Sequence, residues 1–271
     1  MSGETLALTW QQRAEIWGRL KPPARPSAGD IAQYEAALRA ELAPGRRAVC
    51  LILGATPELR SVAHRCGCSV ACADSDRSMF ESLRSMVHPA GPEEFLCTDW
   101  FDLPGGGRFD AVLGDGSVNM VPVERHGDLL GVLARVTRAG GAAMLRVHLR
   151  TAPTFESFEE ILAWYRREHG GKPFFPTIRT PLYMHWMDRH GTDAVDTGEI
   201  YRYLGSLHGA GILTDEEFSS RAPTGVTLYL PRAEAFESLA SRWFTIERVR
   251  YGADYGYPES HPLYVLRRAP A

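Results

Sequence analysis

The sequence is short of the features that would classify it at a glance. Its 271 residues carry 30 Lys and Arg against 33 Asp and Glu, a formal net charge of −3, with no basic block. A nucleic-acid footprint is therefore not expected. No apolar run approaches the length of a membrane span, and Met1–Leu8 has no charged-then-apolar leader, so the expectation is a cytoplasmic chain with no membrane partner. The five cysteines (Cys50, Cys66, Cys68, Cys72 and Cys97) are odd in number and gathered in the first half, unlike a secreted disulfide framework. His64, Cys66, Cys68 and Cys72 superficially resemble a metal site. They fall across a helix end, a turn and a buried strand, which do not readily converge, and no metal is expected. A Gly-x-Ser-x-Gly hydrolase motif and a Gly-x-Gly-x-x-Gly dinucleotide motif are both missing. The glycine triplet Gly105–Gly107 lacks the Lys-Ser/Thr ending of a phosphate loop.

What is present is an ordinary globular composition, 44% hydrophobic and 23% charged, long enough for a sizeable core. Thr9–Leu20 reads as a capped helix, Lys21–Ser27 as a proline-rich linker, and Ile31, Tyr34, Leu38 and Leu42 as one face of a second helix stopping at Ala43-Pro44-Gly45. Residues 1–45 then form a helical extension, either packing on the core or acting as a lid over a cleft.

The chain is organised around Ala48–Arg60. An unbroken apolar run to Leu53 reads as a strand buried on both faces. Gly54 breaks it, and Thr56 as N-cap, Pro57 at the first helical position and Glu58 in the first turn restart the chain as a helix. Strand, tight glycine turn and helix N-terminus form the ligand-binding corner of a doubly wound sheet. Ser69–Ala73 predicts a second strand ending in Asp74-Ser75-Asp76, about 20 residues after Gly54, the spacing at which an acid reaches ribose hydroxyls. Glu94–Cys97 predicts a third strand followed by Asp99-Trp100, an acid and an indole suited to an adenine ring. Phe109–Leu113 predicts a fourth, ending in Gly114-Asp115. Pro122–Arg138 predicts a helix stopping at Ala139-Gly140-Gly141, and Ala142–Leu149 a fifth strand. Regular alternation of strand and helix makes a parallel sheet the natural fold.

Taken together, these motifs resemble the class I S-adenosylmethionine-dependent methyltransferases, over about Ala48–Arg150 with two further strands at Phe244–Tyr251 and Leu263–Arg267. The resemblance implies an α/β fold: a seven-stranded, mostly parallel, Rossmann-like sheet with an antiparallel last strand. Residues 46–271 would be the methyltransferase domain, and about 170–224 an insertion before the sixth strand. It implies S-adenosyl-L-methionine as cofactor, held by Gly54, Ala55, Thr56, Asp74, Ser75, Asp99, Trp100, Gly114 and Asp115. The family's first motif usually reads acid-x-Gly-x-Gly-x-Gly; here the acid is Ile52 and the later glycines are Thr56 and Glu58. An atypical subfamily that keeps the cofactor accounts for this, and so does a catalytically inactive binding or regulatory protein on the same fold. The absence of an Asp/Asn-Pro-Pro-aromatic motif argues against methylation of nucleic-acid bases, and that of a paired Asp-Asn against magnesium-dependent catechol methylation.

A small-molecule acceptor is the expected partner, methylated at O, N or S; homodimerisation is left open. His148 at the end of the fifth strand and His185 in the insertion are the candidate bases. Arg146 and Arg150 share a side of that strand with His148, suited either to a substrate carboxylate or to pairing with acids such as Asp115. Trp17, Tyr183 and Tyr251 are the aromatic candidates for the substrate side. The cluster Tyr183-Met184-His185-Trp186-Met187 also reads as the insertion's own small core.

Overall fold

The computed structural model describes residues 8–42, 47–220 and 225–269. The predicted helix stop at Ala43-Pro44-Gly45 lies outside them. In chain order the elements are α1 (Trp10–Ile16), continued by a 3-10 turn at Trp17–Arg19, α2 (Ala28–Glu41), β1 (Val49–Leu53), α3 (Pro57–Arg65), β2 (Ser69–Asp74), α4 (Arg77–Ser82), β3 (Glu93–Cys97) and β4 (Phe109–Asp115). After these come α5 (His126–Val136), β5 (Thr137–Arg146), α6 (Phe158–Glu168), α7 (Phe174–His190), β6 (Ala194–Asp196), α8 (Thr197–Gly209), α9 (Asp215–Ser219), β7 (Thr227–Tyr229), α10 (Ala233–Ala240), β8 (Phe244–Arg250) and β9 (Leu263–Arg268).

Seven strands form one sheet in the order β3-β2-β1-β4-β5-β9-β8. The first five run parallel, and β9 inserts antiparallel between β5 and β8. This is the class I methyltransferase sheet. Its central strands are apolar on both faces, as buried parallel strands require. Cys50 and Ile52 of β1 face the layer of α1 to α4, while Leu51 and Leu53 face the layer of α5 and α10. α2 packs on α3, β5 and β9, burying Tyr34, Ala37 and Leu38.

Two local readings are corrected. Thr56 is the N-cap of α3, but its side chain makes no capping hydrogen bond, so Pro57 carries the helix start. α5 ends at Val136, three residues before the predicted stop, because Thr137 is already extended and pairs with Phe109 of β4. The ladder slips between Phe109 and Ala111, and Arg138–Gly141 bridge that slip within β5.

Residues 158–230 build a third apolar core of their own, around Phe158, Ile161, Ile178, Met187, Ile200 and Leu204. The sequence left α7 unread because prolines interrupt it. Pro176 falls in the first turn, where amide groups have no intrahelical partner, and Pro181 is carried inside the helix. Tyr183, Met184 and Met187 point into this core, with Trp186 packed against it.

Candidate functional site

A cavity of about 230 Å3 opens where β1, β2, β4 and β5 end, the edge at which ligands bind in open α/β sheets. At its first end Gly54 turns off β1 at φ +85°, a conformation that favours glycine. A Cβ placed there would sit 3.8 Å from Asp74 Oδ2 and 3.9 Å from Trp100 Cζ2, filling the space these two side chains leave over the backbone. The cradle is tied to the sheet by hydrogen bonds. Ala73 O accepts from both Gly54 N (2.8 Å) and Trp100 Nε1 (2.7 Å), and Asp74 Oδ1 accepts from Asp76 N (3.0 Å). Burial pushes the Asp74 carboxyl up from its ordinary range, partly offset by that amide.

The N-terminal extension forms one wall, with Trp10, Ile16 and Trp17 lining the cavity. Its anchor is Glu58, at the position of the family's third glycine. Trp17 Nε1 donates to both Glu58 oxygens (3.1 and 3.2 Å), and Arg25 Nε pairs with the same carboxylate at 3.0 Å. Burial nevertheless raises the Glu58 pKa.

At the opposite end stand Ser117, His148, Arg179 and Tyr183. Gly114 makes this end possible: a Cβ there would meet Ser117 Oγ at 2.2 Å, so only glycine lets that hydroxyl fold over the end of β4. Asn119 fixes His148. Its Oδ1 accepts from His148 N (2.9 Å), and its Nδ2 donates to His148 O (2.7 Å) and Tyr229 O (2.8 Å). The His148 ring packs edge-on against His261, centroids 4.7 Å apart, and its buried Nε2 has no hydrogen-bond partner. Burial first, then the charge of neighbouring groups, holds the His148 pKa well below its ordinary value, so the ring is neutral.

Of the predicted residues, the fold thus gathers Trp17, Gly54, Ala55, Thr56, Asp74, Trp100, Asp115, His148 and Tyr183 at one cavity. The others lie elsewhere, each for a visible reason. Arg146, fully buried, pairs bidentately with Asp115 and with Asp30 (3.0 Å), which leaves no fork for a substrate. Arg150 is turned to Asp193 and to Thr192 O (3.0 Å), anchoring the insertion. Asp99 is exposed and caps the turn at Trp100–Asp102 through Phe101 N (2.9 Å). Ser75 is exposed beyond β2, and Gly114 lies beneath the cavity with its carbonyl taken by Tyr34. His185 lines a separate groove beside Pro153–Phe158, and Tyr251 is 49% exposed on the surface.

Residues missed in the sequence include Arg179, Asn119 and Tyr34. Arg179 lies one helical turn before Tyr183, a spacing visible only once α7 is known to be a helix. Among the described residues no group of three or more His, Cys, Asp or Glu side chains is placed to hold a metal ion, and no helix is long and apolar enough to cross a membrane.

No protein-family model and no curated protein sequence matches the chain. Solved structures do. A Burkholderia thailandensis 1,6-didemethyltoxoflavin N1-methyltransferase, bound to its substrate and S-adenosylhomocysteine, is similar with TM-score 0.55 at 14% identity, covering 96% of this chain and 84% of that one. The N-methyltransferase NodS of Bradyrhizobium japonicum, with S-adenosylhomocysteine, gives 0.53 at 10% identity over 97% and 99%. A Rhodobacter sphaeroides protein whose name places it provisionally among Zn-dependent alcohol dehydrogenases gives 0.59 at 17% identity over 98% and 100%. At these identities the likeness establishes the fold.

Proposed function

We propose that this chain transfers a methyl group from S-adenosyl-L-methionine to an O, N or S atom of a small molecule. The observation that carries the reading is the cradle over Gly54, bounded by Asp74 and Trp100 at the ends of β1 and β2 in a methyltransferase sheet. Asp74 suits the ribose hydroxyls, Trp100 the face of the adenine, and the Ala55–Thr56 backbone the rest of the cofactor. The N-methyltransferases similar in structure hold S-adenosylhomocysteine, which supports the same ligand here. A dinucleotide-dependent oxidoreductase fits less well, since its doubly wound sheet ends in a parallel sixth strand and β9 is antiparallel.

When bound, the cofactor supplies an already activated methyl group, so the protein's task is chiefly alignment and exclusion of water. Trp10, Ile16 and Trp17 cover the cavity, and we read residues 8–42 as its lid. His148, neutral and with Nε2 lacking a hydrogen-bond partner, is the group suited to accept a proton from the acceptor. Its low basicity suits a nucleophile that loses its proton readily.

Calorimetry with S-adenosylhomocysteine tests the reading. We expect binding to the wild type and at least tenfold weaker binding to Asp74→Ala. Absence of binding to a folded wild-type protein overturns it and favours the non-catalytic alternative.

A further inference from the structure

The end of the cavity beyond β4 and β5 contains a cation with no hydrogen-bond acceptor among the described residues. Arg179 of α7 is buried to 8% exposure and lines the cavity, yet makes no hydrogen bond or ion pair among the described residues, and its Nη1 is a fully buried, unsatisfied donor. Its one close neighbour of note is the Tyr183 ring, 5.3 Å from the guanidinium carbon. A buried guanidinium without an acceptor is costly. The charge of Asp115 acts on it through space, but both Asp115 oxygens are hydrogen-bonded to Arg146 and neither reaches Arg179. Two further orphaned atoms border the same space, Ser117 Oγ and His148 Nε2. Three polar atoms left unsatisfied at one end of one cavity describe a site completed by a ligand.

We propose that this end is an anion subsite, in which Arg179 and the Ser117 hydroxyl hold a carboxylate carried by an apolar or aromatic methyl acceptor. The inference rests on the methyltransferase reading and names the substrate class for it. Position assigns the carboxylate to the acceptor rather than to the cofactor. The cradle for the nucleoside lies at β1 and β2, whereas Ser117 and His148 follow β4 and β5, the next two strands beyond β1 in the sheet order. Arginine meets a carboxylate through two parallel N–H bonds, a geometry an amide cannot match. Around it Met120, Phe175, Tyr183, Val226 and Leu228 supply an apolar wall for the body of the molecule.

Benzoate and benzamide, alike in shape but not in charge, are the probes. Titrated into protein saturated with S-adenosylhomocysteine, benzoate should bind at least tenfold more tightly than benzamide. Arg179→Met should abolish that preference while changing S-adenosylhomocysteine affinity less than twofold, and Arg179→Lys should retain part of it. Circular dichroism and the thermal midpoint confirm that each variant is folded. Should Arg179→Met prove unfolded, Ser117→Ala, which must weaken benzoate several-fold and leave benzamide unchanged, carries the test. Equal affinity for the two probes overturns the proposal. So does an Arg179→Met variant that loses S-adenosylhomocysteine instead of benzoate, since the arginine then serves the cofactor's own carboxylate. If the wild type fails to bind S-adenosylhomocysteine at all, the methyltransferase reading falls separately. The benzoate preference of the ligand-free protein, and its dependence on Arg179, still decide the anion subsite.

Discussion

Tyr34 and Arg146 meet across the ends of two parallel strands: the Tyr34 hydroxyl accepts from Arg146 N (3.0 Å) and donates to Gly114 O (2.6 Å). A residue of the N-terminal extension thus closes the ladder between β4 and β5 where their own pairing stops. The Arg146 side chain continues the join, reaching Asp115, Asp30, Pro23 O (3.1 Å) and Tyr255 OH (3.3 Å). Extension, sheet and last hairpin loop are held by one buried guanidinium.

Removing that guanidinium should be severe. Arg146→Met leaves Asp115 and Asp30 buried without a counter-charge, and the loss expected is about 3–5 kcal/mol. Adding Asp115→Asn should recover at least ~1 kcal/mol, because the residues are coupled. Urea denaturation of the single and double variants measures both.

Acid should destabilise the protein before most carboxylates titrate. His148 and His261 are both held well below the ordinary value of 6.5, chiefly by burial. Below about pH 6.5 the unfolded chain takes up protons that the native state does not, so stability is present above that value and lost as pH falls. The slope approaches about 1.4 kcal/mol per pH unit for each histidine. Denaturation at pH 7.5, 6.5 and 5.5 checks it, and His261→Gln should flatten the curve.

Asn119 is predicted to be a positioning residue for His148. Asn119→Ala strands the buried His148 N and His148 O, each costing roughly 1–3 kcal/mol, and releases the part-buried Tyr229 O. The measurement is again chemical denaturation, with proton NMR of the His148 ring reporting whether its environment changes.

Gly54→Val tests the cradle. The left-handed backbone costs a branched residue about 1–3 kcal/mol, and the new side chain fills the space between Asp74 and Trp100. Stability should fall modestly and S-adenosylhomocysteine affinity by at least tenfold, read by calorimetry on folded protein.

The lid reading predicts protection. Trp17→Phe keeps an aromatic ring but deletes the indole donor to Glu58, and leaves that carboxylate Arg25 as its side-chain partner. Tryptic cleavage after Arg19 should be slowed by S-adenosylhomocysteine in the wild type and accelerated in the variant. Identical cleavage in all three states would mean the extension is simply part of the core.

The centre of the sheet was legible in the sequence because β1, β2 and β4 are short apolar runs set off by glycine, acid or helix signals, a local pattern that survives folding. The same holds for Gly54, Asp74 and Trp100, whose place at strand ends follows from the order of elements. α7 was not legible, since Pro176 and Pro181 mask its period, and with it Arg179 stayed hidden. The pairing of Arg146 with Asp115 and Asp30, and of Trp17 with Glu58, joins residues far apart in the chain. The sequence by itself determined which strands form the seven-stranded sheet and which residues stand at their carboxyl ends. Only the tertiary structure decided which charges are spent on one another and that Arg179 keeps no hydrogen bond among the described residues, because a buried ion pair is fixed by what surrounds it in space.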